Sequence, residues 1–85
     1  MKTQQALTAF RKASEEVTYY ETNALAQAQT MNETANRQFE NGELNYLEWV
    51  LVTDNAYRIR SEYIEAVRQY NLALADLRFY LPDNN

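Results

Sequence analysis

The chain has no cysteine and no histidine, and only one glycine and one proline in 85 residues. Without cysteine or histidine it can form no disulfide and offers no thiol or imidazole nucleophile. It also cannot build the zinc, copper or haem sites that those side chains ligate. A di-metal four-helix enzyme is excluded in its usual form, because Glu-x-x-His cannot be written without histidine. No apolar run approaches the ~18 residues of a membrane span, and the N-terminal MKTQQALTAF is no signal peptide. Twelve acidic residues stand against eight basic ones, a net charge of −4, so nothing recommends a nucleic-acid surface. The expectation is a chain with no catalytic residue, no cofactor and no metal site: not an enzyme.

The shortage of glycine and proline turns attention to where the one glycine stands. Gly42 falls at the midpoint, within FENGELNYLEW, with roughly forty residues free of both breakers on either side. Those flanks are rich in Ala, Glu, Gln, Leu and Arg and read as helix. Gly42 can take the left-handed conformation that ends a helix, and Asn41 tolerates the approach to it. Three residues on, Asn45 and Glu48 have the spacing of a capping box, with Asn45 as the helix-start cap. Leu44 and Trp49 stand where a hydrophobic staple needs its members. These signals predict an all-α fold: a long antiparallel, coiled-coil-like helical hairpin spanning residues 1–85, with helices over about 4–40 and 46–80 and a turn at 41–45.

The second arm carries the clearer periodicity. Alternating steps of three and four from Trp49 reach Val52, Ala56, Ile59, Tyr63, Ala66, Tyr70, Ala73, Leu77 and Tyr80, all apolar or aromatic. A weaker second stripe runs beside it through Leu47, Leu51, Ile64, Val67, Leu74 and Leu81, interrupted by Asn71. In the first arm Leu7, Phe10, Val17, Ala24, Met31 and Ala35 follow one stripe, broadened by Ala6, Ala9, Ala13, Tyr20 and Leu25. Tyr63 and Tyr70 read as packing residues and Met31 as core rather than a copper ligand. Glu33–Arg37, Asp54–Arg58 and Glu65–Arg68 have the spacing of solvated pairs along a helix. Two helices alone have too little interior to cover both stripes of the second, so the hairpin is expected to complete a helical bundle or an α-barrel wall by association.

The stretch FENGELNYLEWVLVTDNAYRIRSEYIEAVRQYNLALADLRFYL resembles the C-terminal part of the TolC-type outer membrane factors. Phe39 takes that family's aromatic position, Gly42 its glycine, Glu48 its acidic position and Val50-Leu51 its aliphatic pair, while Ala66, Tyr70 and Leu74 match the later helix. The wording NGELNYLEWV is closest to the branch found with heavy-metal (cation) resistance-nodulation-division pumps. The resemblance covers residues 36–81 well and 3–35 only as a generic helix. It implies the periplasmic tip of an efflux channel of a Gram-negative cell envelope. There a trimer continues a membrane β-barrel as a helical tunnel, and an adaptor protein docks at the tip. Metal cations or small toxic compounds would be exported with an inner-membrane pump. The membrane would be met only through parts this chain does not contain. Lacking the β-strands, the second structural repeat and a signal sequence, the chain looks like a fragment of that larger protein; alone, it is expected to form a homo-oligomer, most simply a dimer.

Under this resemblance Asn41, Gly42, Glu43 and Leu44 form the tip turn and a candidate adaptor contact. Glu48 either lines the closed pore or only completes the capping box, and the two roles can coexist. From Gln38 to Tyr57 the charged residues are Glu40, Glu43, Glu48 and Asp54, with no lysine or arginine. Repeated by symmetry, such an acidic mouth would concentrate cations, although acidic turns also serve solubility alone. Three rival readings stand beside the channel. One is the hairpin of the periplasmic adaptor itself, against which the aromatic-x-x-Gly stop and the restart at NYLE weigh. Another is a secreted WXG-type hairpin, which requires Trp-x-Gly at the turn, whereas here Gly42 precedes Trp49. The third is a homodimeric four-helix scaffold with no transport role.

Overall fold

The computed structural model describes residues 2–80. Three α-helical segments and one wide turn occupy nearly all of that length: α1 (Lys2–Tyr19), a five-residue π-helical turn (Tyr20–Ala24), α2 (Leu25–Glu40) and α3 (Tyr46–Tyr80). Helix α1, the π turn and α2 run on as one arm, and α3 returns alongside both α1 and α2. There is no strand among the described residues. The hairpin measures 62 × 18 × 18 Å, and its radius of gyration of 18.6 Å far exceeds the ~12 Å of a compact chain of this length. Leu81 of the second stripe and the terminal LPDNN lie outside the described residues.

The arms meet along a seam of small side chains. The buried residues are Ala6, Ala13, Ala24, Ala28 and Ala35 from the first arm, with Ala56, Ala66 and Leu77 from α3. Alanine lets backbones approach closely but leaves little room between them, and no large side chain among the described residues is fully buried. The ten seam positions expected in α3 are all buried or half-buried. In the first arm Leu7 stays on the rim at 36% exposure. Ala6, Ala13 and Ala28, the last not counted in the expected stripe, do the sealing instead.

The second stripe of α3 divides in two. Val67 and Leu74 flank the seam and are half-buried, whereas Leu47, Leu51 and Ile64 are exposed. A stripe traced by sequence steps alone widened until it covered two sides of the helix.

The π turn has a cause visible in the seam. Buried and half-buried positions step by alternating threes and fours through Ala13, Val17 and Tyr20. They then take two fours in succession, to Ala24 and Ala28. The spacing holds one residue more than strict alternation allows, and a π turn is the local way to take up one extra residue. The Leu25 N–H donates to the Tyr20 carbonyl, five residues back, and the Thr22 hydroxyl donates to the Thr18 carbonyl at 2.7 Å.

Of the three expected charge pairs only Glu65–Arg68 forms among the described residues, at 2.9 Å. Arg68 and Gln69 donate to the Glu65 carboxylate, Arg68 foremost, and hold its pKa down at about 2. Arg58 instead donates to Asn55 Oδ1 at 2.6 Å, and Glu33 accepts from Gln29 at 3.1 Å. Exposed ion pairs gain so little over solvated side chains that a neutral neighbour competes on equal terms.

Because Ala28 has 0% exposure in a seam without slack, Ala28→Leu should force the arms apart and cost about 1–3 kcal/mol. Gln27→Ala, on the exposed side of α2, should shift stability by less than about 0.5 kcal/mol. Thermal unfolding of the two variants checks the contrast.

Candidate functional site at the hairpin turn

The first arm ends in a Schellman motif. The Glu43 N–H donates to the Gln38 carbonyl at 2.8 Å and the Gly42 N–H to the Phe39 carbonyl at 3.2 Å, the paired bonds that close a helix through a left-handed residue. That residue is Gly42, with φ +75°; Asn41 before it stays at φ −85°, ψ 2°. A Cβ at Gly42 would meet nothing within 4 Å, so backbone conformation alone demands glycine here.

The second arm begins with reciprocal bonds. The Glu48 N–H donates to Asn45 Oδ1 at 2.8 Å, and the Asn45 N–H donates back to Glu48 Oε1 at 2.9 Å. Together they satisfy two amides that the new helix would otherwise leave bare. Glu48 is thus a cap and an exposed carboxylate at once.

Aromatic packing locks the two ends together. Phe39 stacks on Trp49 with centroids 5.0 Å apart and planes at 22°, and Tyr46 lies 6.0 Å from Trp49. The Trp49 indole N–H donates to Asn36 Oδ1 at 2.8 Å, back across the hairpin. Sequence reasoning gave Trp49 the staple with Leu44, which is half-buried, and the head of the α3 seam, but not this cluster. The signal for the larger cluster was present in Phe39, Tyr46 and Trp49, one turn from the break on either side.

Around this cluster Asn41, Glu43, Asn45 and Glu48 are exposed, and Leu44 is half-buried. The short reversal between Glu40 and Tyr46 thus presents a compact polar knob with one apolar side chain at its base. Glu40, Glu43, Glu48 and Asp54 are all exposed. No group of three or more carboxylates converges to hold a metal ion among the described residues. The turn can dock a surface or shape a field; it has no nucleophile held by a base.

A second polar feature lies mid-rod, beside the π turn. Tyr20 donates its hydroxyl to Glu62 at 3.2 Å, and Tyr63 donates to Glu21 at 2.9 Å. The arms exchange reciprocal phenol–carboxylate bonds, with the two rings 6.3 Å apart. The adjacent pairs Tyr20-Glu21 and Glu62-Tyr63 are the sequence sign of this exchange, and reading Tyr63 as packing alone missed it. Burial, then the Glu62 carboxylate, raises the Tyr20 pKa above 10.0. For Tyr63 the hydrogen bond to Glu21 is the main cause of a rise from the same value.

Two outcomes follow. Gly42→Ala should destabilise the hairpin by about 1–2 kcal/mol through backbone strain alone, and Gly42→Asn by less, as chemical denaturation would read. Both phenols have folded pKa values above the unfolded value, so their contribution is complete below pH 10.0 and is lost as pH rises through the raised values. Helicity followed by circular dichroism should therefore fall in that alkaline window, and the double variant Tyr20→Phe, Tyr63→Phe should remove that step.

No family model matches the chain, and neither a curated protein nor a solved structure is similar to it.

Proposed function

We propose that the chain is the tip hairpin of the periplasmic helical tunnel of a TolC-type outer membrane channel. There it docks to a periplasmic adaptor and serves the export of metal cations or small toxic compounds with an inner-membrane pump. The observation that carries this reading is the turn. A Schellman stop at Gly42 and a capping-box restart at Asn45 fold the FENGELNYLEW stretch into a knob at the end of a 62 Å rod. A long hairpin with a rigid polar end suits a tunnel wall whose tip meets a partner. The apolar residues on both sides of α3 support the same reading, since a wall helix has neighbours on two sides.

In this role Asn41, Glu43 and Leu44 form the docking surface and Gly42 sets its shape. Glu48 faces two demands. Its carboxylate holds the helix start through the Asn45 N–H, and copies repeated around a closed tip would attract cations and repel one another. A helical hairpin that completes a bundle without any transport role is the second reading, and the exposed face of α3 favours it equally.

A photo-crosslinker at Asn41 or Glu43 in cells tests the docking. It should capture a periplasmic adaptor protein, and capture of no such protein from either position would remove the channel reading in favour of the bundle. Within a reconstituted channel, Glu48→Gln should weaken cation selectivity and block by multivalent cations. Since glutamine can still cap, it should cost only a few tenths of a kcal/mol, about what the charge adds to an exposed cap. Glu48→Ala should add a stability loss of ~1 kcal/mol. Unchanged cation block in Glu48→Gln, with a lower melting temperature in Glu48→Ala, would leave Glu48 as a cap only.

A further inference from the structure

The side of α3 turned away from the first arm is apolar and open. Leu47, Tyr57, Ile64, Leu72 and Phe79 have exposures between 52% and 80%. At 100° per residue Tyr57, Ile64, Leu72 and Phe79 point about 120–180° away from the direction midway between Ala56 and Ala66, which face the seam. Polar residues interrupt this row, yet monomeric proteins seldom leave so many large apolar side chains uncovered on one side of a helix.

The polar residues that interrupt the row show what covers it. Asp54, Ser61 and Arg68 occupy the same face at intervals of seven residues. Ser61 is small and central, and the flanking charges are opposite in sign. When a second α3 is laid antiparallel with the two Ser61 residues together, each position meets the one equally far from Ser61 on the other side. Asp54 then faces Arg68, Val50 faces Leu72, and Leu47 faces Ala75. By the same rule Tyr57 faces Glu65 and Arg58 faces Ile64, so that Arg58 lies diagonally beside Glu65 and Tyr57 diagonally beside Ile64. A parallel pairing would instead set Asp54 against Asp54 and Arg68 against Arg68. Arg68 already binds Glu65 through Nε and one terminal nitrogen while keeping 61% of its side chain exposed, so it retains donors for a second carboxylate. The overlap from Leu47 to Ala75 is about 43 Å long.

We propose that a second copy of this chain docks on this face, α3 against α3 and antiparallel, with the twofold axis at Ser61. The face is self-complementary where Asp54 meets Arg68, Val50 meets Leu72 and Leu47 meets Ala75, as an isologous interface requires. The proposal does not rest on the tunnel reading: it concerns what the 85-residue chain does with its open face when no other helix covers it.

Sedimentation equilibrium on the whole chain should give a dimer at about 0.1 mM. The chain has no cysteine of its own, so Ser61→Cys should oxidise to a disulfide-linked dimer, while Glu33→Cys on the first arm should not. Asp54→Arg and Arg68→Asp should each weaken the dimer about tenfold, since each substitution sets like charges together at two symmetric places. The combined variant should recover the original affinity. Circular dichroism on each variant confirms that it is helical before its mass is read. A folded monomer at that concentration would overturn the proposal. So would a dimer that crosslinks through Glu33→Cys in preference to Ser61→Cys, or one indifferent to both charge reversals.

Discussion

Close approach of the two arms over alanine governs the rest of this molecule. Among the described residues seven of the eight buried ones are alanines, and a seam built from them brings backbones near one another while excluding anything larger than Leu77. Dispersion contacts between the helices are gained at the expense of interior volume. The bulky side chains of α3 therefore have only the edges of the seam or the opposite side of the helix to occupy. Tyr63 and Tyr70 take the edges, with Tyr70 at 5.2 Å from Phe10, and Tyr57, Ile64 and Phe79 take the far side.

The turn and the π turn serve this approach at different heights. At the tip the Gly42 stop and the Asn45–Glu48 restart fix the direction in which α3 returns, and Phe39 and Trp49 hold the two ends against each other. At mid-rod the π turn takes up a surplus residue so that Ala28 and Ala35 reach the same seam as Ala6 and Ala13. The reciprocal bonds of Tyr20 with Glu62 and Tyr63 with Glu21 lie at that adjustment. They restore polar contact where the packing of small side chains changes phase.

Local chemistry explains which parts were legible in the sequence. The stop and restart depend on residues within a few positions of each other, so Gly42, Asn45 and Glu48 announced them and the helix limits followed. The α3 seam was legible because its repeat is unbroken over ten positions. The first arm was legible in outline, since Phe10, Val17, Ala24, Met31 and Ala35 lie along the seam, but not in detail, because alanine marks a seam and an open face alike. Only the partner decides that Ala28 is sealed while Ala26 is exposed. The split of the second stripe, the cross-arm phenol bonds and the choice of Asn55 over Asp54 by Arg58 all depend on tertiary placement or on near-equal alternatives. A pattern of spacing does not resolve either. At the candidate site the tip residues were identified one by one, whereas the aromatic cluster that positions them needed both arms in view.

The central claim is that this hairpin leaves one side of α3 uncovered and gains stability when that side is covered. Native-state hydrogen exchange of α3 amides, including those of Ala56 and Ala66, measured across about a hundredfold range of chain concentration, tests it most directly. The account predicts protection that rises with concentration along the length of α3. Strong protection that stays constant on dilution would mean that the two arms suffice by themselves, and would contradict it.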